Sequence, residues 1–189
     1  RLKSHLYRLR YEGQDTGEAK LIKNDAAAEL RNLRQSIEVY HSKTSETGVA
    51  LAWGNLNHPD RFIRYAARIA LEHQPTNQWE LRFFSATDTD KIIQSGIGLA
   101  RQANKGMQGK ILNKLLTIDW TSLSNQQKLD LIRTYNLVGI RMGMPSESNR
   151  QGIIQKFSPY FPDANNAVNR ELSQLLLFLK APNGQGIPF

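Results

Sequence analysis

The sequence predicts an all-α protein whose short helices pack as antiparallel neighbours. Apolar residues recur at three- and four-residue spacing from residue 25 almost to the C terminus, and turn residues with helix caps separate the segments. No second run of alternating residues follows the first twelve to complete a sheet. About nine helices joined by short turns form either a helical bundle or a solenoid of stacked helical hairpins.

Length and composition fit one ordinary globular domain. The 189 residues are 40% hydrophobic and 22% charged, and none is cysteine. The lack of cysteine excludes disulfides, thiolate nucleophiles, cysteine zinc sites and c-type haem attachment in this segment. The longest apolar block, residues 175–179, is far shorter than the roughly 18 residues of a membrane span. The chain begins at Arg1, and we expect it to be a segment of a larger protein.

Three regions follow one another along the chain. Residues 1–24 read as an alternating, strand-like extended segment and a turn-rich linker. Residues 25–181 carry the helical periodicity and form the predicted domain. Residues 182–189 have no periodicity and are expected to be a frayed tail.

Capping residues mark where the predicted helices begin. Asp25, the pair Pro59 and Asp60, and Ser124 each precede an apolar run at helical spacing. The apolar run that follows Ser124 ends at Gly143. Residues 49–56 form a short apolar segment to which no helix is assigned. Further helices are predicted over residues 77–84, 89–103, 107–118, 147–157 and 165–179.

Residues 60–71, DRFIRYAARIAL, carry a pattern of small and charged residues on one predicted helix. The pattern resembles the second helix of a HEAT repeat, and its members are Asp60, Ile63, Arg64, Ala67, Ala70 and Leu71. Small alanines let neighbouring helices approach closely, and the Asp and Arg can pair across adjacent repeats. With a repeat of about 40 residues, the resemblance implies an α-α superhelix, a HEAT/armadillo-like solenoid of about four helical hairpins.

A longer resemblance covers nearly the whole chain. Its segments are LYRLRY at residues 6–11, AELRNLRQSIEVYH at 28–41, HPDRFIRYAARIALEHQ at 58–74 and NRELSQLLLFLKAP at 169–182. They are similar to the HEAT-repeat region of large bacterial multidomain proteins, where that region follows a sorbosone-dehydrogenase-like β-propeller and precedes a c-type cytochrome or haem-binding domain. The resemblance implies that LYRLRY is the exit strand of a propeller and that the parent protein is exported. It gives this segment no cofactor and no activity of its own.

No catalytic, cofactor-binding or metal-binding residue is predicted. The histidines are His5, His41, His58 and His73, and no two have the i, i+4 spacing of a helical metal pair. Asp88, Asp90 and Asp119 could supply a general acid and base, but each stands where a helix begins or ends, which favours a capping role.

Tryptophans could provide stacking surfaces for a sugar or a base. Trp53, Trp79 and Trp120 lie within apolar segments, with Phe83 and Phe84 close to the second of them in sequence. That context favours core packing over an exposed stacking platform.

Positive charge is concentrated in the second half of the chain. Residues 1–100 hold 14 basic and 12 acidic residues, whereas residues 101–189 hold 11 and 5, within a net charge of +8. The basic residues are spaced singly, which favours solvated helix faces and argues against nucleic acid as a partner. Arg61, Arg64 and Arg68 recur at helical spacing, which predicts one basic stripe along a helix. Arg64 is at a HEAT motif position and is expected to be structural. Arg61, Arg68 and Arg170 are the candidate interaction residues.

Two hypotheses follow from these observations. The first is a non-catalytic HEAT-like scaffold module of an exported, extracytoplasmic multidomain protein. Its partners would be the neighbouring propeller and cytochrome-like domains, or another protein. The alternative is a HEAT protein that binds nucleic acid or another polyanion through its basic C-terminal half.

Overall fold

The computed structural model describes residues 7, 8, 10, 12, 13 and 25–181. All regular secondary structure in these residues is helical. Most of the predicted exit strand and linker, and the whole of the predicted tail, lie outside the described residues. The described residues before position 25 belong to neither a helix nor a strand.

The described part of the chain contains nine α-helices joined by short turns, and the prediction of an all-α fold is confirmed. Five of the connections or helix ends contain a single 3₁₀ turn. The helices are α1 Asp25–Glu38, α2 Glu46–Gly54, α3 Arg61–Glu72, α4 Glu80–Ser85, α5 Thr89–Gln102, α6 Gln108–Leu116, α7 Asn125–Met142, α8 Glu147–Phe157 and α9 Asn166–Phe178.

Side-chain caps fix most of these helix starts. The Ser124 hydroxyl accepts from the backbone N–H of Gln127, whose side chain accepts in return from the Ser124 backbone, so α7 begins with a capping box. Gly143 ends α7 with a φ of 100°, a conformation that favours glycine. Five other helix starts are capped by a side-chain oxygen of Ser45, Asp60, Asp88, Ser146 or Asn165.

The apolar segment at residues 49–56 is largely helical, which the sequence interpretation did not assign. Most of it lies in α2, which begins earlier, after the Ser45 cap. After its first turn this helix is apolar on nearly all sides, with Gly48, Val49 and Ala52 buried, so it lacks the polar face that marks an amphipathic helix. It packs mainly against α3, the next helix in the chain, and also contacts α1.

The odd-numbered helices form one continuous row. The odd-numbered helices contact one another in chain order, α1 with α3, α3 with α5, α5 with α7, and α7 with α9. Each even-numbered helix packs beside a following odd-numbered helix, and α6 also contacts α8. The groove described below lies along the row of odd-numbered helices.

One apolar core joins the odd-numbered and the even-numbered helices. Trp79 and Phe83 are fully buried, and Trp120 is buried against Phe157, with ring centroids 5.1 Å apart. The preference for core packing of these aromatic residues is confirmed, while Trp53 is partly buried and packs against the core. Within the described residues, no helix is both long enough and apolar enough to cross a membrane.

Candidate binding groove

An open groove of about 650 Å³ crosses three consecutive odd-numbered helices. It runs over α3, α5 and α7, which are the central helices of their row. Four of its side chains are arginines, one is an aspartate and two are aromatic. The lining residues are Arg61, Phe62, Arg64, Tyr65, Arg68, Gln94, Gln126, Asp130 and Arg133.

Helix α3 supplies one wall because its two faces differ sharply. Ile63, Ala67 and Ala70 are buried on the face that packs against the core. Arg61, Arg64 and Arg68 follow the i, i+3, i+7 spacing of a helix and share the opposite side, so all three reach the same groove. The predicted stripe and the groove therefore coincide on this helix.

Two aromatic rings in this wall remain open to solvent. Phe62 and Tyr65 are each 57% exposed. The Arg61 guanidinium lies 4.8 Å from the centre of the Phe62 ring, and the Arg68 guanidinium lies 5.0 Å from the centre of the Tyr65 ring. Each pair places a cation against an aromatic face and restricts the motion of both side chains.

Arg68 is held by a buried carboxylate. The Glu72 side chain is only 5% exposed and lies 3.3 Å from Arg68 Nε and 3.2 Å from Arg101 Nη1. Burial lowers the pKa of Arg68 from its ordinary value, and the neighbouring Glu72 carboxylate opposes that change. Arginine remains charged under these conditions. Glu72 thus fixes the half-buried Arg68 guanidinium of the groove and links α3 to α5 through Arg101.

The residues of the HEAT-like motif have local structural roles in α3. The Asp60 carboxylate accepts from the backbone N–H groups of Phe62 and Ile63, so it caps the helix. These amide donors, Ile63 first and then Phe62, lower the pKa of Asp60. Arg64 Nη1 donates to the carbonyl oxygens of His58 and Pro59, in the turn before its own helix. The expected pairing across repeats is replaced by this turn contact. Ala67, Ala70 and Leu71 are buried.

The opposite wall brings together residues that the sequence interpretation did not single out. Arg133 is exposed on α7, where Asp130 Oδ1 accepts from Gln126 Nε2 at 3.1 Å. Gln94 comes from α5, is 8% exposed and lines the groove between the two walls. These residues lie 26 or more positions after Arg68, so only the packing of α3, α5 and α7 shows that they share one site.

The other candidate interaction residue lies elsewhere. Arg170 is on α9, 70% exposed, and its Nη2 is 3.1 Å from Glu171 Oε1. It does not line the groove described above. The structure therefore groups Arg61 and Arg68 and separates them from Arg170.

The polar residues considered for catalysis act at helix ends. Asp88 accepts from the Lys91 backbone N–H, and Asp119 accepts from the Thr121 backbone N–H and hydroxyl, which confirms the preferred capping interpretation for both. Asp90 lies in the first turn of α5 and accepts from Gln127 Nε2. The Thr121 side chain and backbone lower the pKa of Asp119.

The described histidines also contact the backbone. His41 Nε2 lies 2.9 Å from the Ala66 carbonyl oxygen, and His73 Nδ1 lies 2.8 Å from that of Ile69. His58 Nδ1 accepts from the Asp60 backbone N–H in the α2–α3 turn. His5 lies outside the described residues, among which no three Asp, Glu or His side chains are grouped as a metal would require.

Comparisons with family models, with curated proteins and with solved structures find no match for this chain. Its function is therefore inferred from the groove, from the packing of the helices and from the sequence resemblance.

Proposed function

We propose that the chain is a non-catalytic, HEAT-like α-solenoid module that binds a partner through its row of odd-numbered helices. The main support for this proposal is the series of contacts along that row, in which each odd-numbered helix packs on the next. Stacked hairpins of this kind contact chiefly their neighbours and present one continuous row of helices as a binding surface. The groove crosses the middle of that row.

The groove on this row is lined by four arginines. Eleven arginines lie in the described α-helices, and nine of them are on odd-numbered helices. Arg82 and Arg150 are the two on even-numbered helices. Arginine is enriched in protein interfaces because its planar guanidinium forms directed hydrogen bonds and packs on aromatic rings.

The parent protein in this proposal is exported and carries a propeller before the module and a cytochrome-like domain after it. The support is the resemblance of residues 6–11, 28–41, 58–74 and 169–182 to the HEAT-repeat region of such proteins. In that setting the module acts outside the cytoplasm. It either holds the two domains apart or provides a surface to which they bind.

The second candidate function is binding of nucleic acid or another polyanion. Four groove arginines and the exposed rings of Phe62 and Tyr65 favour it, because guanidinium groups bind phosphates and aromatic rings stack on bases. Three of these arginines come from residues 61–68, in the first half of the chain. The site for this alternative thus lies mainly outside the basic second half.

Site-specific photocrosslinking separates the two candidate functions. A benzophenone amino acid replaces Tyr65 in the groove or, as a matched control, Leu81, which is 75% exposed on α4. The modified chains are irradiated in an extract of the source cells. Protein adducts that form from position 65 and not from position 81 support the partner-binding module. Equal labelling from both positions, or adducts from position 65 that nuclease removes, would contradict it.

A further inference from the structure

We propose that the groove across α3, α5 and α7 binds an acidic peptide segment of a protein partner. This inference rests on the proposed function and names the chemistry of its ligand. The groove carries four guanidinium groups against the single carboxylate of Asp130, a net charge of +3 from its lining side chains. Guanidinium groups bind carboxylates through paired, charge-assisted hydrogen bonds.

The arginines differ in how firmly they are held. Arg68 is 15% exposed in its side chain and is fixed between Tyr65 and Glu72. Arg64 is anchored to two carbonyl oxygens in the preceding turn. Arg61 and Arg133 are exposed on opposite walls. The groove therefore combines two fixed cations with two accessible ones, which suits a ligand with several carboxylates.

The polar groups of the groove suit a peptide main chain. The amide side chains of Gln94 and Gln126 each offer donors and an acceptor, and Asp130 offers a carboxylate acceptor. A peptide main chain presents both N–H donors and carbonyl acceptors, so it can add contacts to these groups beside the hydrogen bond from Gln126 Nε2 to Asp130 Oδ1. The phosphates of a nucleic acid offer acceptors alone and cannot donate to Asp130, whereas a main-chain N–H can.

The aromatic residues favour the same ligand. Arginine covers part of each ring, with Arg61 on Phe62 and Arg68 on Tyr65. Base stacking needs the ring faces themselves, whereas apolar side chains of a peptide can pack on the parts that remain exposed. The groove thus combines anchors for carboxylates with apolar surface for the intervening side chains.

Fluorescence anisotropy tests this proposal with purified protein and defined probes. The probe is a fluorescein-labelled peptide of alternating Glu and Leu. The comparison probes are the same peptide with Gln in place of Glu and a labelled single-stranded oligo(dT). We expect the Glu peptide to bind and the Gln peptide to bind at least about tenfold more weakly, since each charge-assisted contact that is lost costs roughly that factor. Oligo(dT) is expected to bind more weakly than the Glu peptide.

Exposed arginines provide matched variants that should leave the fold intact. Arg133→Ala and Arg61→Ala remove groove cations, while Arg170→Ala removes an exposed arginine on α9. We expect each groove variant to weaken binding of the Glu peptide about ten- to a hundredfold and Arg170→Ala to leave it within about twofold. Circular dichroism melts confirm that the variants are folded.

Three results would overturn the peptide assignment. They are no binding of the Glu peptide, tighter groove-dependent binding of oligo(dT), and equal losses for Arg133→Ala and Arg170→Ala. If the peptide fails while position 65 still crosslinks a protein, the ligand class is wrong and the partner-binding function stands. If neither experiment detects a protein ligand, both proposals fail.

Discussion

At the scale of single residues, charged groups at the edge of the groove also hold the fold together. Glu72 illustrates this double role, because its nearly buried carboxylate neutralises Arg68 within α3 and joins Arg101 of α5. An isolated buried charge is costly, so the trio is stable only as a unit. The geometry of the groove therefore depends on a residue outside its lining.

Replacement of Glu72 by glutamine tests this dependence. Glu72→Gln leaves the half-buried Arg68 without its counter-charge, and we expect the free energy of unfolding to fall by about 2 kcal/mol. Urea denaturation measures the change. The matched control is Glu147→Gln, since Glu147 is 69% exposed and pairs with Arg150 at the surface. Equal stability of the two variants would show that the Glu72 contacts contribute little.

The Asp60 cap predicts a specific dependence of stability on pH. Its pKa is lower in the folded chain than the ordinary value, because the amides of Ile63 and Phe62 donate to the carboxylate. A lowered folded pKa means that this stabilisation is present above the unfolded pKa and is lost as the pH falls through the folded pKa. Asp60→Asn retains the side-chain oxygen but removes the titration. We therefore expect its melting temperature to fall less than that of the parent as the pH drops below about 4.

Two measurements decide whether Asp60 acts in this way. Thermal melts of the parent and Asp60→Asn are compared across the acid range, and Asp60→Ala, which removes the cap, should melt lower than both near neutral pH. An identical acid dependence in the parent and Asp60→Asn would contradict the role of the charged cap.

At the scale of elements, caps and periodicity made most helices predictable. Ser124 and Gly143 delimit α7 in the sequence as they do in the structure, and residues 147–157 match α8. Helix α2 was not assigned because its residues are small and apolar on nearly all sides. Local patterns detect a helix by the contrast between its faces, and α2 offers little contrast.

Because α2 lies close to the residues after α1, alanine substitutions at two of its glycines should change stability by different amounts. A Cβ at Gly48 would lie 2.5 Å from Tyr40 Cδ1, whereas a Cβ at Gly54 has no such neighbour within 4 Å. Gly48→Ala should therefore lower the free energy of unfolding by about 1–2 kcal/mol, because the partly buried Tyr40 ring must move. Gly54→Ala should leave stability unchanged or slightly higher.

Chemical denaturation of the two glycine variants gives a direct comparison. Both substitutions remove the same backbone freedom from the same helix, so their difference isolates the contact with Tyr40. Equal stabilities would mean that the junction between α1 and α2 adapts without cost.

The groove could be predicted only in part, and the reason is its assembly from distant elements. The spacing of Arg61, Arg64 and Arg68 identifies one wall from the sequence. Gln94 and Arg133 carry no local signal, because nothing in the sequence distinguishes them from the other polar residues of α5 and α7. Their place in the groove follows from the packing of α5 beside α3 and α7, which is a long-range property of the chain.

The way the helices stack determines how stability is distributed over the entire chain. In a solenoid, stability is nearly a sum over repeats and their interfaces, so a disturbed terminal hairpin affects mainly its neighbours. In a compact bundle of the same helices, each element contributes to one shared core and the molecule unfolds as a unit. The proposed function requires the first arrangement, in which the row of odd-numbered helices is one stacked binding surface.

Native-state hydrogen exchange of a terminal-helix variant tests the proposed stacking most directly. Leu172 is fully buried in α9, and Leu172→Ala should destabilise that end of the row by about 2–5 kcal/mol. The matched variant Ile63→Ala disturbs the buried side of α3. For Leu172→Ala, the solenoid predicts faster exchange in α9 and in the helices it contacts, α7 and α8, with little change in α3. For Ile63→Ala it predicts the largest increase around α3. Uniform acceleration in all helices of both variants would contradict the solenoid.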